Sequence, residues 1–247
     1  MRKIAIIPVL EGIEKQEYNN SILLERIQNN IANALETKLF DEVIVASDNE
    51  IILKLAVDSG ANPYKYVTNL QLSKERIVTK ILIEVIDSFK KKGIQIYYGC
   101  CIFSDAIIAS SSMLKIAFER LVIEKYDSLF PVISYEYPTQ KALILDDERL
   151  KMLLSEYQGV NSKALVPTFY DCEQFYLFRV ASLLKHESLL TANTGTIVLP
   201  DRTMLNQETN WKLAEIKFET LPQELTSDTT RKTKCLIKMI DKKTIEA

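Results

Sequence analysis

Glycine is the first scarcity in this chain. Only 6 of its 247 residues are glycine, where ordinary usage would give about 17. So few glycines leave little room for the left-handed turns and close backbone approaches that phosphate-cradling loops use. Histidine is scarcer still, with His186 alone. Its Leu-Leu-Lys-His-Glu setting reads as the surface end of a helix, which argues against histidine acid–base chemistry. The four cysteines, at 100, 101, 172 and 235, show no metal-ligand spacing. Cys100 and Cys101 are adjacent and point to opposite faces of a strand, so a reduced, cytoplasmic protein is expected. Charge of one sign is missing too. The formal net charge is -2, which gives no global attraction for nucleic acid or membrane. No apolar run is long enough to span a bilayer, and no leader precedes the first strand.

What is present is a globular pattern, 47% hydrophobic and 26% charged. Residues 4–7 (Ile-Ala-Ile-Ile) form a short apolar run ending at Pro8, a buried strand. Asn20 and Ser21 are candidate caps for a helix with Ile27, Ile31, Leu35 and Leu39 at helical spacing. Strand, loop and helix make the first unit of a nucleotide-type α/β domain, whose ligands bind outside the carboxyl ends of the strands. A second such unit follows, with a strand at 43–46, Ser47 or Asp48 as the helix cap, and an Ile51 and Leu55 stripe. A short strand is expected at 64–67. The spacing of Ile77, Ile81, Val85, Ile86 and Phe89 predicts a core-packing helix over 74–92. Residues 94–103 are apolar throughout, as a central strand covered on both faces should be. Further strands are expected at 129–133 and 195–200, then a packing helix around Trp211. The basic segment 227–247 reads as a terminal helix or a frayed tail.

Residues 7–20 resemble the first motif of the CMP-sialic acid synthetase family, especially its pseudaminic acid cytidylyltransferase branch. That motif runs roughly I-P-A-R-G-G-S-K-x-x-x-x-K-N, and this chain keeps Ile7, Pro8, Gly12 and Asn20. Leu10 stands where the motif has arginine, Glu11 for a glycine, Ile13 for serine, and Glu14 and Asn19 for the two lysines, with Lys15 one place late. Other stretches are similar in order. Residues 41–51 match F-D-E-V-x-V-S-T-D-D-E-E-I, Cys100 to Phe103 match C-C-I-Y, and 134–143 match S-x-x-F-P-I-Q-R-A-L. Asp171, Gln174, Phe175 and Tyr176 match Y-H-D-A-G-Q-F-Y, with Glu173 in the glycine's place. The family's P-T-A-P becomes Ser104-Asp105-Ala106-Ile107, where Asp105 is either a helix cap or a metal ligand. Its R-S-Q-D-L becomes Asn161-Ser162-Lys163-Ala164-Leu165, and its D-I-D acids become Met204 and Asn206.

The resemblance implies an α/β, Rossmann-like nucleotidyltransferase fold, with a mixed, mostly parallel sheet flanked by helices. It implies a domain at 1–221 with a dimerisation arm at about 134–168, and a C-terminal extension at 222–247. The implied activity is transfer of CMP from CTP to a nonulosonic acid, with Mg2+, in surface-glycan biosynthesis by a homodimer. Lys15, Asn20, Ser47 and Asp48 are the implied nucleotide contacts, with Ser47 and Asp48 free to cap and contact at once. Gln140, Lys141, Asp171 and Gln174 serve either sugar recognition or the dimer arm. Asn206 is the weak remaining metal ligand, and no catalytic residue is assigned. Mg2+ prefers carboxylates, and a triphosphate prefers cations and glycine N–H groups, so the replacements at 10–19, 68, 161 and 204–206 bear on activity. Two expectations follow: a non-catalytic sugar-acid module or partner of an active paralogue, or a divergent but active enzyme.

Overall fold

In the computed structural model, residues 1–10, 20–66 and 73–199 are described. The first strand, β1 (Arg2–Pro8), is followed by α1 (Asn20–Glu36), β2 (Glu42–Ser47), α2 (Glu50–Asp58) and β3 (Asn62–Lys65). Next come α3 (Lys74–Lys91), β4 (Ile96–Ile102), α4 (Ser111–Ile123) and β5 (Ser128–Ser134). A hairpin of β6 (Leu143–Asp146) and β7 (Arg149–Met152) precedes β8 (Phe169–Asp171), β9 (Phe175–Arg179), α5 (Val180–His186) and β10 (Thr194–Leu199). The main sheet runs β10-β5-β9-β4-β1-β2-β3, with β8 paired to β5. β1 lies parallel to β2 and β4, β2 to β3, and β10 to β5, while β9 is antiparallel to β4 and β5. This is the mixed, mostly parallel α/β sheet that the resemblance implies.

The connection order positions the site. From β1 the chain steps outward to β2 and β3, then α3 carries it back to β4 on the other side of β1. Strand order therefore reverses between β1 and β4, and in open α/β sheets the ligand crevice lies beyond the carboxyl ends at such a point. β1 can sit centrally because Ile4, Ala5, Ile6 and Ile7 are all fully buried, the pattern of a strand covered on both faces.

Two helices differ from expectation in which face they bury. α1 packs Ile27, Asn30, Ile31 and Ala34 inward, while Leu35 is 42% exposed and Leu39 lies beyond the helix end. Two successive steps of four residues drift about 80° around a helix, so the 27, 31, 35, 39 series leaves the core face. α2 buries Ile52, Leu53 and Ala56, and leaves Ile51 exposed. Its cap is Asn49, whose side chain accepts from the Ile51 N–H at 2.7 Å. Neither Ser47 nor Asp48 caps it; the Ser47 hydroxyl accepts the Asn49 N–H at 3.1 Å in the turn before. α3 buries the predicted Ile77, Ile81, Val85, Ile86 and Phe89, with Val78 and Leu82 beside them. His186 is exposed at the end of α5. Among the described residues no helix is long and apolar enough to cross a membrane.

Gly99 of β4 faces Phe178 of β9 across the antiparallel ladder. A Cβ added there would lie 2.3 Å from the Phe178 ring, and that ring is fully buried. Gly99→Ala should cost about 1–3 kcal/mol by overpacking, read from chemical denaturation. In a Phe178→Leu background the same change should cost clearly less.

The segment at 134–168 carries β6 and β7 as a separate two-stranded sheet. Their register pairs Leu143 with Met152 and Leu145 with Leu150 on one face, and Ile144 with Lys151 and Asp146 with Arg149 on the other. Leu143, Leu145 and Leu150 are exposed.

Candidate functional site

Residues at the carboxyl end of β1 turn inward. Val9 donates its N–H to the Ala46 carbonyl at 2.8 Å, and the Tyr66 hydroxyl donates to the Val9 carbonyl at 2.6 Å. Leu10 follows directly, only 1% exposed and part of the hydrophobic core. Where the resemblance places an arginine, this chain has a core side chain. Lys15, Glu11 and Glu14 lie outside the described residues, as do Met204 and Asn206. Asn20 is the first residue of α1, so it opens the helix rather than preceding it. Ser47 is buried at the end of β2, with Asp48 half-buried in the next turn. Both therefore stand at the same edge of the sheet as Leu10.

The opposite wall is the loop 103–110 after β4. Asp105 does not cap α4: Ser110 does, its hydroxyl accepting from the Met113 N–H at 3.3 Å. Asp105 instead sits within the loop, where burial raises its carboxyl above the usual range and the nearby Lys74 charge opposes the rise.

The turn between β8 and β9 closes the rim. Glu173 has a left-handed φ of 50°, a conformation that fits a glycine site and that few other residues adopt. The Asp171 carboxylate accepts the Glu173 N–H at 2.8 Å and also the Tyr176 hydroxyl. From the first turn of α3, Lys74 reaches Glu173 at 2.6 Å and lies 5.2 Å over the Phe103 ring. Lys74, Asp105, Asp171, Glu173 and Tyr176 thus form one charged rim at the end of β4. Burial chiefly, and then the Glu173 charge, pushes Asp171 up to about 6, against the Glu173 N–H and Lys74, which hold it down. Burial likewise pushes Cys172 up to about 12 and Cys101 further, so neither thiol is a nucleophile near neutrality.

Other sequence candidates divide. Gln174 is 6% exposed, with its carboxamide committed to the loop 107–108 and to the Cys172 carbonyl. It braces backbone. Gln140 donates to the Val166 carbonyl at 2.9 Å, inside the 134–168 segment, and Lys141 shares its short helical turn. Among the described residues no group of three or more His, Cys, Asp or Glu is placed to hold a metal. Of the rim carboxylates, Glu173 is ion-paired to Lys74 and Asp171 is hydrogen-bonded to Tyr176. Lys74 is the residue that sequence reasoning passed over. Its partner lies 99 positions away, so no local spacing reveals the pair.

The charge arrangement gives a pH prediction. In the folded chain Asp171 holds its proton up to about 6, whereas an unfolded aspartate holds it only to about 4. Its stabilising share is therefore present below the unfolded value and lost as pH rises through about 6. A carboxyl-carbon NMR titration should place the midpoint near 6. Glu173→Gln should lower it by removing a negative neighbour, and Lys74→Met should raise it.

No protein-family model matches the chain. It is 26% identical over 214 residues to the pseudaminic acid cytidylyltransferase of Campylobacter jejuni subsp. jejuni serotype O:2, covering 85% of this chain and 92% of that protein. It is 23% identical over 216 residues to the post-translational flagellin modification protein B of Campylobacter coli, covering 83% and 88%. Among solved structures, CMP:2-keto-3-deoxy-manno-octonic acid synthetase complexed with CTP superposes with a TM-score of 0.56 at 12% identity, over 90% of this chain and 100% of that one. The 4-diphosphocytidyl-2C-methyl-D-erythritol synthase of Anaerococcus prevotii gives 0.52 at 12% identity, over 88% and 98%. These structures share the fold.

Proposed function

Starting from a family relationship with the pseudaminic acid and CMP-sugar cytidylyltransferases, at 26% identity over most of the chain, we propose that this protein binds a nonulosonic acid and has lost efficient CMP transfer from CTP. The observation that carries this reading is Leu10, 1% exposed and packed in the core. A nucleoside triphosphate is held by cations and accessible backbone N–H groups, and at this place the chain spends its side chain on packing. On the sugar side, Asp171 and Tyr176 stand hydrogen-bonded to each other at the rim, with Gln174 and Phe175 buried behind them. On this reading the chain acts as a sugar-acid module or as the partner of an active paralogue.

A second reading, a divergent but active cytidylyltransferase, draws on Lys74. It brings a cation to the carboxyl end of β4, and its 24% exposed side chain can be reached from solvent. One experiment separates the two. Pyrophosphate release from CTP and Mg2+ is followed with a panel of nonulosonic acids, beside calorimetry of each acid alone. Binding without release supports the first reading, and release supports the second. No binding of any acid and no release overturn both.

We propose also that the chain dimerises through residues 134–168, using the Leu143, Leu145, Leu150 and Met152 face. A two-stranded sheet alone is marginal in water, and this one leaves its apolar face open. Light scattering should give a dimer mass at micromolar concentration, and Leu145→Lys with Leu150→Lys should give a monomer. A wild-type monomer, or a dimer indifferent to both changes, would sink the idea.

A further inference from the structure

The loop leaving β4 is almost wholly buried without being a helix or strand. Phe103, Ser104, Ala106, Ile108 and Ala109 are each no more than 6% exposed. Buried backbone polar groups need partners, and here two side-chain amides supply them from opposite sides. Asn30 comes from α1 and is 2% exposed; the two N–H groups of its Nδ2 are shared among the carbonyls of Phe103 (3.2 Å), Ser104 (3.3 Å) and Ala106 (3.2 Å). Gln174 comes from the turn before β9. Its Oε1 accepts the N–H groups of Ile107 (2.7 Å) and Ile108 (3.1 Å), while its Nε2 donates to the Cys172 carbonyl at 3.0 Å. The Gln174 carbonyl also accepts the Phe103 N–H at 3.1 Å.

Together these bonds address residues 103 to 108, with only Asp105 between them left unheld by either amide. We infer that Asn30 and Gln174 are positioning residues that set the 103–108 loop as a rigid wall of the crevice and thereby place the Asp105 carboxyl at the rim beside Lys74. The geometry explains why both must be amides. Asn30 serves only acceptors and needs an NH2 group, whereas Gln174 serves donors on one end and an acceptor on the other. Gln174 thus acts on a ligand through the loop and does not touch it. The inference goes beyond the sugar-acid reading and stands without any nucleotide turnover.

Amide hydrogen exchange on the full chain tests it. Gln174→Ala should speed exchange at Ile107 and Ile108 by roughly tenfold or more, since two buried N–H groups lose their acceptor. Protection in β1 and β4 should stay within about twofold of the wild type. Gln174→Glu keeps the acceptor and should keep most of the protection at 107 and 108. Asn30→Ala, which removes the donor to the carbonyls of the same loop, should loosen it as well. In both alanine variants the Asp105 titration, followed by NMR, should fall toward the ordinary aspartate range as the carboxyl leaves its buried place. Unchanged exchange at 107 and 108, a uniform rise across the sheet, or an Asp105 titration that does not move in either variant would each overturn the inference. A sugar acid that fails to bind the wild type would count against the functional reading, while the exchange result would still decide this one.

Discussion

Leu10→Arg is expected to destabilise the chain by about 4 kcal/mol or more, and to create no phosphate-binding cation. Leu10 is 1% exposed and belongs to the main core. The residue before it is held on both sides, by the Ala46 carbonyl and by the Tyr66 hydroxyl, so the backbone has little freedom to turn position 10 outward. Removing a buried leucine typically costs about 2–5 kcal/mol. A guanidinium in its place adds the cost of an unpaired buried charge. Against a total stability of about 5–15 kcal/mol, that unfolds a large share of molecules or leaves a marginal fold. Denaturant midpoints would show it, with Leu10→Met as the volume-matched control expected below about 1.5 kcal/mol. An arginine variant of wild-type stability with stronger CTP binding would show that the side chain swings out to the crevice.

How far the sequence reaches depends on the range of the physics involved. Buried strands are legible because cover on both faces leaves them apolar throughout, as in Ile4 to Ile7 and around Cys100 and Cys101. α3 is legible because seven buried residues repeat over eighteen positions, long enough for periodicity to fix the face. α1 and α2 depart from the sequence expectation at their faces and at one cap for local reasons. Ser47, Asp48 and Asn49 are all good caps, and only the backbone at Asn49, extended with the helix starting next, selects one. Gln174 looks like a ligand contact in sequence because a polar side chain beside a motif invites that reading; its true partners, the 107 and 108 N–H groups, come from another strand's end. Lys74 and Glu173 meet only through the fold. Fold was therefore readable from short-range pattern, whereas the rim of the site is built from pairs remote in sequence.

CTP is expected to bind with a dissociation constant above roughly 1 mM, or weaker than about 4 kcal/mol. With Leu10 committed to the core, the charge of residues 9–19 falls to Glu11, Glu14, Lys15 and Glu17. A carboxylate about 5 Å from a phosphate charge is repelled by roughly 3 kcal/mol at an effective dielectric of about 20. That is about two decades of affinity per close acid before screening. Glu11→Gly with Glu14→Lys, leaving Leu10 untouched, removes two acids and adds one cation while sparing the core. The pair should strengthen CTP binding by roughly 100-fold at low salt, with the gain shrinking as ionic strength shortens the Debye length to about 8 Å or less. Lys15→Met in the pair variant should give back part of the gain, because Lys15 then no longer adds to the new lysine. Calorimetry at two salt concentrations reads all three. Micromolar affinity in the wild type would mean that the two acids face away from the triphosphate. A pair variant no tighter than the wild type would mean that the phosphates lie beyond the reach of positions 11 and 14, and that any nucleotide is held from the Lys74 side of the crevice.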